Sequence, residues 1–257
     1  MQRYFIAPEQ FGQHTVTITG EDAHHLLKVM RMKAGDEIMV CDGLGRSVLA
    51  RLTSLEAKSA EADIIAEMET NGEPMWKVTV AQSLPKGDKL ETVIQKCTEI
   101  GAAAFVPFQS ERSIVQYDGK KEEKRQQRWA KIAKEAAEQA HRSIIPEVSQ
   151  VMSWKQLLLR MAEFDLVLFC YEKEGAAEGS GIADVLAAFR NTHDSSREAA
   201  ILLVVGPEGG FTVHEADEAL AGGARLAGLG PRILRTETAA MVGLTCLMYE
   251  SKEMGGA

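Results

Sequence analysis

Cysteine is scarce in this chain: four residues in 257, at positions 41, 97, 170 and 246, with no Cys-x-x-Cys and no neighbouring histidine pair. This argues against a disulfide framework and against zinc ligation, so the four are expected as reduced thiols, mostly in core positions, and no metal is expected. Long apolar runs are missing as well. No stretch approaches the ~18 residues of a membrane span, and the opening MQRYFIAPEQ interrupts any signal-peptide core with Arg3, Pro8 and Glu9. A cytoplasmic protein without a membrane partner is expected. An excess of positive charge is also lacking. With 29 Lys and Arg against 37 Asp and Glu, net charge is −8, so the chain as a whole repels phosphate and a nucleic-acid role requires local basic patches. Compositional signs of disorder are absent too, at 45% hydrophobic and 26% charged residues.

Local basic patches are present. Lys120, Lys121, Lys124, Arg125, Arg128, Lys131 and Lys134 stand against Glu122 and Glu123, and His24, Lys28, Arg31 and Lys33 surround Leu26, Leu27, Val29 and Met30 on an expected helix over 22–32. A solvated helix face accounts for either run taken alone.

Up to about Met68 the chain reads as short strands, RYFIA, HTVTITG, DEIMVCDG, SVLARLTSL and EADIIAEM, separated by turns at Gly20, Gly35-Asp36 and Gly43-Leu44-Gly45, which predicts a small barrel or compact sheet. Asn71-Gly72-Glu73-Pro74 marks the boundary, giving domains over 1–72 and 73–257. Beyond it strand and helix alternate: WKVTVAQSL, then a helix with Leu90, Val93, Ile94, Cys97 and Ile100 on one face, then FVPF, and so on to TETAAMVGLTCLMYES. A helix over 121–142 places Trp129, Ile132, Ala133, Ala136, Ala137 and Ala140 on one stripe, so its basic residues face elsewhere. This is the pattern of an α/β domain with a mostly parallel sheet and helices on both faces.

Within it, LLVVGPEGGFTVHEA stops an apolar run at Gly206-Pro207-Glu208-Gly209-Gly210 and restarts as a helix through a Thr212–Glu215 capping box. Ligands of open parallel sheets sit beyond the carboxyl ends of strands, and here bare backbone offers close approach to a flat or folded small molecule. The turn is not a P-loop and not Gly-x-Gly-x-x-Gly, its position late in the chain disfavours a dinucleotide dehydrogenase, and Glu208 would repel a phosphate. A second strand-to-helix turn, LGPRILRTETAAMVG, brings Arg232 and Arg235 near the first, with Thr236 or Thr238 available as a helix cap and Arg235–Glu237 as a surface ion pair.

GPEGG followed at this spacing by LG-x-R-I-L-R-x-E-T-A closely resembles the SPOUT-class knotted RNA methyltransferases, and among them the RsmE-type enzymes that methylate N3 of a uridine in 16S ribosomal RNA. Weaker likenesses run along nearly the whole chain: Arg3-Tyr4-Phe5, His24 through Arg31, Lys86-Gly87 with Lys96 and Glu99-Ile100-Gly101, Pro107 with Ser110-Glu111-Arg112, and Glu138-Gln139-x-x-Arg142. Ile100 and Ala102 around Gly101 depart from the more usual Leu and Val.

The resemblance implies a PUA-like β-barrel, a trefoil knot in the last part of the chain, bound S-adenosylmethionine and a homodimer with composite active sites; physical priors alone would never propose a knot. It implies cofactor contacts from Tyr171, Gly206, Pro207, Glu208, Gly209, Gly210, Leu229, Gly230, Leu234, Thr238 and Ala239. Arg235, Arg112 and Arg142 are the candidates for stabilising charge on the uracil or gripping phosphates, with Glu208 and Glu237 as base or cofactor-orienting groups. Arg3, His24, Lys28, Arg31, Lys86, Arg125 and Arg128 are the candidates for contact with 16S RNA in the small ribosomal subunit. Action on another RNA, on transfer RNA or a ribose 2′-OH, and a non-catalytic assembly factor are the alternatives.

Overall fold

The computed structural model describes residues 1–69, 72–115, 119–172, 181–193 and 198–254. Asn71 of the boundary cluster and the side chain of Lys120 in the basic run lie outside the described residues. The chain divides into two compact units, Met1–Glu73 with Ala137–Ile145, and Pro74–Ala136 with Pro146–Ala257.

The first unit is built on strands β1 (Arg3–Phe5), β2 (Thr15–Thr19), β3 (Glu37–Cys41), β4 (Ser47–Leu55) and β5 (Ser59–Met68), in the order β1-β3-β4-β5-β2. Only the β1–β3 pair is parallel. Alternation places Val16, Ile18, Ile38, Val40, Val48, Ala50, Leu52, Ala60 and Ala62 on one inner face, where they are buried with Tyr4 and Leu26. Two register shifts between β4 and β5, at Leu49/Ala50 and Leu52/Ser54, bend the longest pair. The single helix expected over 22–32 is two shorter pieces, α1 (Gly20–His24) and a π-helical turn (His25–Val29). It ends where Arg31 takes φ 54, a conformation that cannot continue a right-handed helix. The segment at 137–145, which the sequence assigns to the second domain, packs in this unit: Ala137 and Ile145 lie with Phe5, Met39 and Cys41.

The second unit has one sheet in the order β12-β10-β11-β6-β7-β8, from β6 (Trp76–Ser83), β7 (Ala104–Gln109), β8 (Glu147–Val148), β10 (Leu166–Cys170), β11 (Ala199–Val205) and β12 (Arg225–Ala227), with β9 (Met152–Ser153) also on β7. Every pairing is parallel. The helices are α2 (Lys89–Ile100), α3 (Gly119–Gln139), α4 (Trp154–Arg160), α5 (Ile182–Thr192), α6 (Val213–Ala221) and α7 (Thr236–Glu250). Strand β11 is apolar throughout because both its faces are covered. Leu202 and Val204 join Leu157, Met161, Phe211, Ala216 and Ala219 on one side. Leu203 points the other way, toward Gly243 of α7, where an added Cβ would sit 3.0 Å from Leu203 Cδ1. The stripe expected on the helix after residue 120 is real, with Trp129, Ala133, Ala136 and Ala137 buried, but α3 ends at Gln139 and Arg142 stands beyond it.

Candidate functional site

The turn at 206–210 leaves the carboxyl end of β11, and the residue after it explains its shape. Phe211 is buried, with its ring centroid 4.2 Å from that of Phe169 and stacked on Phe108 at 6.3 Å. A Cβ on Gly206 would lie 3.0 Å from Phe211 Cε2, so glycine there is what admits the ring. Gly210 has φ 63, the left-handed region, and its N–H donates to Pro207 O at 2.9 Å. Thr212 then caps α6 through the expected box: its hydroxyl accepts the Glu215 N–H, and the Glu215 carboxylate accepts the Thr212 N–H at 2.9 Å. Buried Glu215 also accepts the Glu111 N–H at 2.8 Å, tying the turn at 110–113 to the start of α6.

The second turn follows β12 and leads into α7. Neither Thr236 nor Thr238 caps that helix. Its N-cap is Arg235, with extended backbone and no side-chain capping bond, and Thr236 is instead buried with Oγ1 donating to Gly206 O at 2.6 Å. Gln82 Nε2, at the end of β6, donates to Thr236 Oγ1 at 2.8 Å and to Gly206 O at 3.2 Å. No Arg235–Glu237 ion pair forms among the described residues.

Between the two turns lies a cleft of about 600 Å³, in the size range of small-molecule sites. Of the predicted cofactor residues, Tyr171, Gly206, Pro207, Glu208, Gly210, Leu229, Gly230, Leu234 and Ala239 line it, and Gly209 and Thr238 do not. Arg232, Arg235, Lys89 and Glu172 supply the other charges. Cys170 also lines it, but burial pushes its thiol up to about 12, so it stays protonated at neutral pH and is no nucleophile.

The predicted catalytic residues divide. Arg235 and Glu208 line the cleft. Partial burial alone would raise the Glu208 carboxyl, but it is outweighed by hydrogen bonds from Lys89 and from backbone N–H groups including that of Lys86, so the net shift is downward. Glu208 Oε1 accepts Lys89 Nζ at 2.7 Å and the Lys86 N–H at 3.1 Å, which anchors the turn at 206–210 to the start of α2 and makes Glu208 a poor base. Glu237 is half-buried and its Oε2 has no hydrogen-bond partner among the described residues. Arg112 Nη1 donates to Gly209 O at 2.7 Å, so the guanidinium rests on the outside of the glycine turn. Arg142 lies in the first unit, almost wholly buried, with Nη2 2.6 Å from Glu73 Oε2. The other Glu73 oxygen accepts the N–H groups of Ser143 and Ile144, which makes this a tie for the segment at 142–144.

The predicted RNA contacts divide likewise. His24, Lys28, Arg31 and Lys86 are exposed. Arg3 is turned inward, donating to Arg142 O at 2.7 Å. Arg125 and Arg128 both bind Glu91 of α2, at 2.9 and 2.6 Å, and so pin α3 to α2. Sequence reasoning missed Gln82, Lys89 and Phe211. Phe211 had a local signal, an aromatic directly after a glycine turn and before a helix cap. Lys89 and Gln82 had none, because their partners are 119 and 124 to 154 residues away.

Comparison with known proteins agrees with this geometry. Residues 71–248 match the family described as RNA methyltransferase domain, and residues 18–65 the RNA methyltransferase PUA domain. The chain is 42% identical to ribosomal RNA small subunit methyltransferase E of Bacillus subtilis, over 100% of this chain and 99% of that one. Against the enzyme of the same name from Synechocystis it is 36% identical, over 94% and 75%. It superposes with TM-score 0.82 on the ribosomal RNA small subunit methyltransferase E of Neisseria gonorrhoeae, solved bound to S-adenosyl methionine, at 32% identity and 97% of both chains. A PUA-like unit followed by a SPOUT α/β domain, the fold class read from the sequence, is thus the observed one. No helix among the described residues is long and apolar enough to cross a membrane.

Proposed function

The chain belongs to the family of ribosomal RNA small subunit methyltransferase E, and we propose that within it this protein transfers a methyl group from S-adenosylmethionine to N3 of a uridine in 16S ribosomal RNA. The observation that supports this most directly is the cleft itself. Two glycine-containing turns from strands β11 and β12 enclose it with bare backbone, and Arg235 stands in its wall.

The residues present fit the cofactor. Gly206 and Gly210 leave the surface free of side chains, Tyr171, Leu229, Leu234 and Ala239 give apolar walls for an adenosyl group, and Lys89, Arg232 and Glu172 offer charges for an amino-acid moiety. Bound there, S-adenosylmethionine supplies a methyl group already activated on a sulfonium centre. The protein must orient the uracil, take up the N3 proton and meet the charge that spreads onto O2 and O4. Of the cations in the cleft wall we assign Arg235 to that charge, and Arg112, whose Nη1 donates to Gly209 O, to gripping a phosphate. Neither candidate carboxylate is suited to take up the N3 proton: Glu208 lines the cleft but is held ionised by Lys89, and Glu237 does not line it and has its Oε2 buried.

Because N3 lies on the pairing edge, the uridine must be unpaired or flipped when it reacts. Exposed His24, Lys28 and Arg31 on the first unit and Lys86 on the second are the residues assigned to the RNA. The reading includes a homodimer and a cytoplasmic site of action on ribosomal subunits. The dimer is in keeping with the prevalence of two-fold symmetry among soluble oligomers.

The test is transfer of labelled methyl to unmodified small ribosomal subunits, with nucleoside analysis of the product. Label in 3-methyluridine, lost in Arg235→Ala, supports the reading. Label in another nucleoside refutes the specificity, and no transfer despite bound cofactor refutes the activity.

A further inference from the structure

We propose that Gln82 and Thr236 are positioning residues, a buried latch that sets the separation of the two turns enclosing the cleft; the cofactor role of the latch rests on the reading above.

The sheet alone does not fix that separation. The first turn leaves β11 and the second leaves β12, and β10 lies between those strands in the sheet. Gln82 comes from β6, on the opposite side of β11. Its amide is 1% exposed and can point only one way. Nε2 meets Ser83 O at 3.0 Å, Gly206 O at 3.2 Å and Thr236 Oγ1 at 2.8 Å, and both carbonyls are acceptors that a flipped amide oxygen would oppose. Thr236 Oγ1 gives its proton to Gly206 O at 2.6 Å and so receives one from Gln82. The three groups close a triangle joining β6, the turn at 206–210 and the first residue of α7. Gly206 and Thr236 both line the cleft, and Arg235 immediately precedes Thr236 in the chain. Fixing Thr236 therefore fixes the backbone from which the candidate catalytic arginine extends.

Gln82 Oε1 is buried and has no partner among the described residues. Methionine in place of Gln82 removes that stranded acceptor but also the donor to Ser83 O, Gly206 O and Thr236 Oγ1, so its two effects on stability oppose one another. The latch therefore predicts a loss of binding out of proportion to any loss of stability in Gln82→Met. Resistance to urea changes little, while affinity for S-adenosylmethionine, read by calorimetry, falls about tenfold with the loss of these donor bonds. Thr236→Val falls similarly, and Thr236→Ser, which keeps the hydroxyl, retains affinity within about twofold of wild type.

Amide hydrogen exchange on the cofactor-free protein gives a readout independent of ligand. In Gln82→Met and Thr236→Val the amides of Gly210 and of the first turn of α7 exchange faster together. Unchanged exchange in both variants overturns the latch. So does affinity that follows stability in Gln82→Met, or failure of Thr236→Ser to restore binding. If wild type itself binds no S-adenosylmethionine, the functional reading fails, and the exchange data still decide the latch.

Discussion

Replacing Gly206 with alanine tests whether the turn at 206–210 is shaped by the ring beneath it. Gly206 does not have positive φ, so alanine is conformationally allowed there, and reduced freedom of the unfolded chain would by itself stabilise by about 0.4–1 kcal/mol. Against this, the new Cβ would sit 3.0 and 3.1 Å from two ring carbons of Phe211. That ring is held between Phe108 and Phe169 and has little room to yield. Overpacking of a buried site costs about 1–3 kcal/mol, so the net expectation is a loss of about 1 kcal/mol, the difference of the two ranges. Because Gly206 O also accepts from Gln82 and Thr236, a shift of a few tenths of an ångström to relieve the clash would disturb cofactor affinity as well. Urea unfolding and calorimetry of Gly206→Ala, Phe211→Leu and the double variant make the assay. If the clash is the cause, the smaller side chain relieves it, and the double variant is more stable than the sum of the single losses by at least ~0.5 kcal/mol. Strict additivity, or a Gly206→Ala protein indistinguishable from wild type, refutes the reasoning.

Gly210→Ala places a Cβ in the left-handed region, φ 63, and is expected to cost about 1 kcal/mol, with Gly210→Asn costing less because asparagine visits that region, both read by the same unfolding assay. Arg142→Met leaves the Glu73 carboxylate buried without its cation and is expected to destabilise by ~3–5 kcal/mol. Calorimetric affinity for S-adenosylmethionine should hold, because the cleft belongs wholly to the second unit; a selective loss of affinity at unchanged stability would refute a structural role for Arg142. The Glu208 carboxyl is depressed in the folded protein, so its contribution to stability is fully present above the ordinary carboxylate range and is lost as pH falls through its folded value. The stability difference between wild type and Glu208→Gln should therefore be flat near neutrality and shrink in acid; growth of that difference on acidification would show the sign to be wrong.

How far the chain could be read in advance depended on the distance over which each feature is decided. Strand and helix types followed from periodicities of two and 3.6 residues, and the β4 and β11 runs and the α2 and α3 stripes were legible because burial of one face imposes them. The Thr212–Glu215 box spans three residues and was readable for the same reason. The end of the helix before Arg31 was not, because a single positive φ decides it. Thr236 was misread as a cap because its hydroxyl finds a better acceptor on another loop.

The sequence by itself determined the strand-rich first part, the alternating elements of the second unit and, in the paired GPEGG and LGPRILRTETA turns, the two segments between which a cleft lies. Only the tertiary structure decided which charges are available there. Glu208 is committed to Lys89, Arg125 and Arg128 to Glu91, Arg142 to Glu73, and Glu237 does not line the cleft, while Arg235 remains in its wall. The physical reason is that a side chain's charge is local to its residue, but its partner is set by which loops the parallel sheet brings together, and those lie many tens of residues apart in sequence.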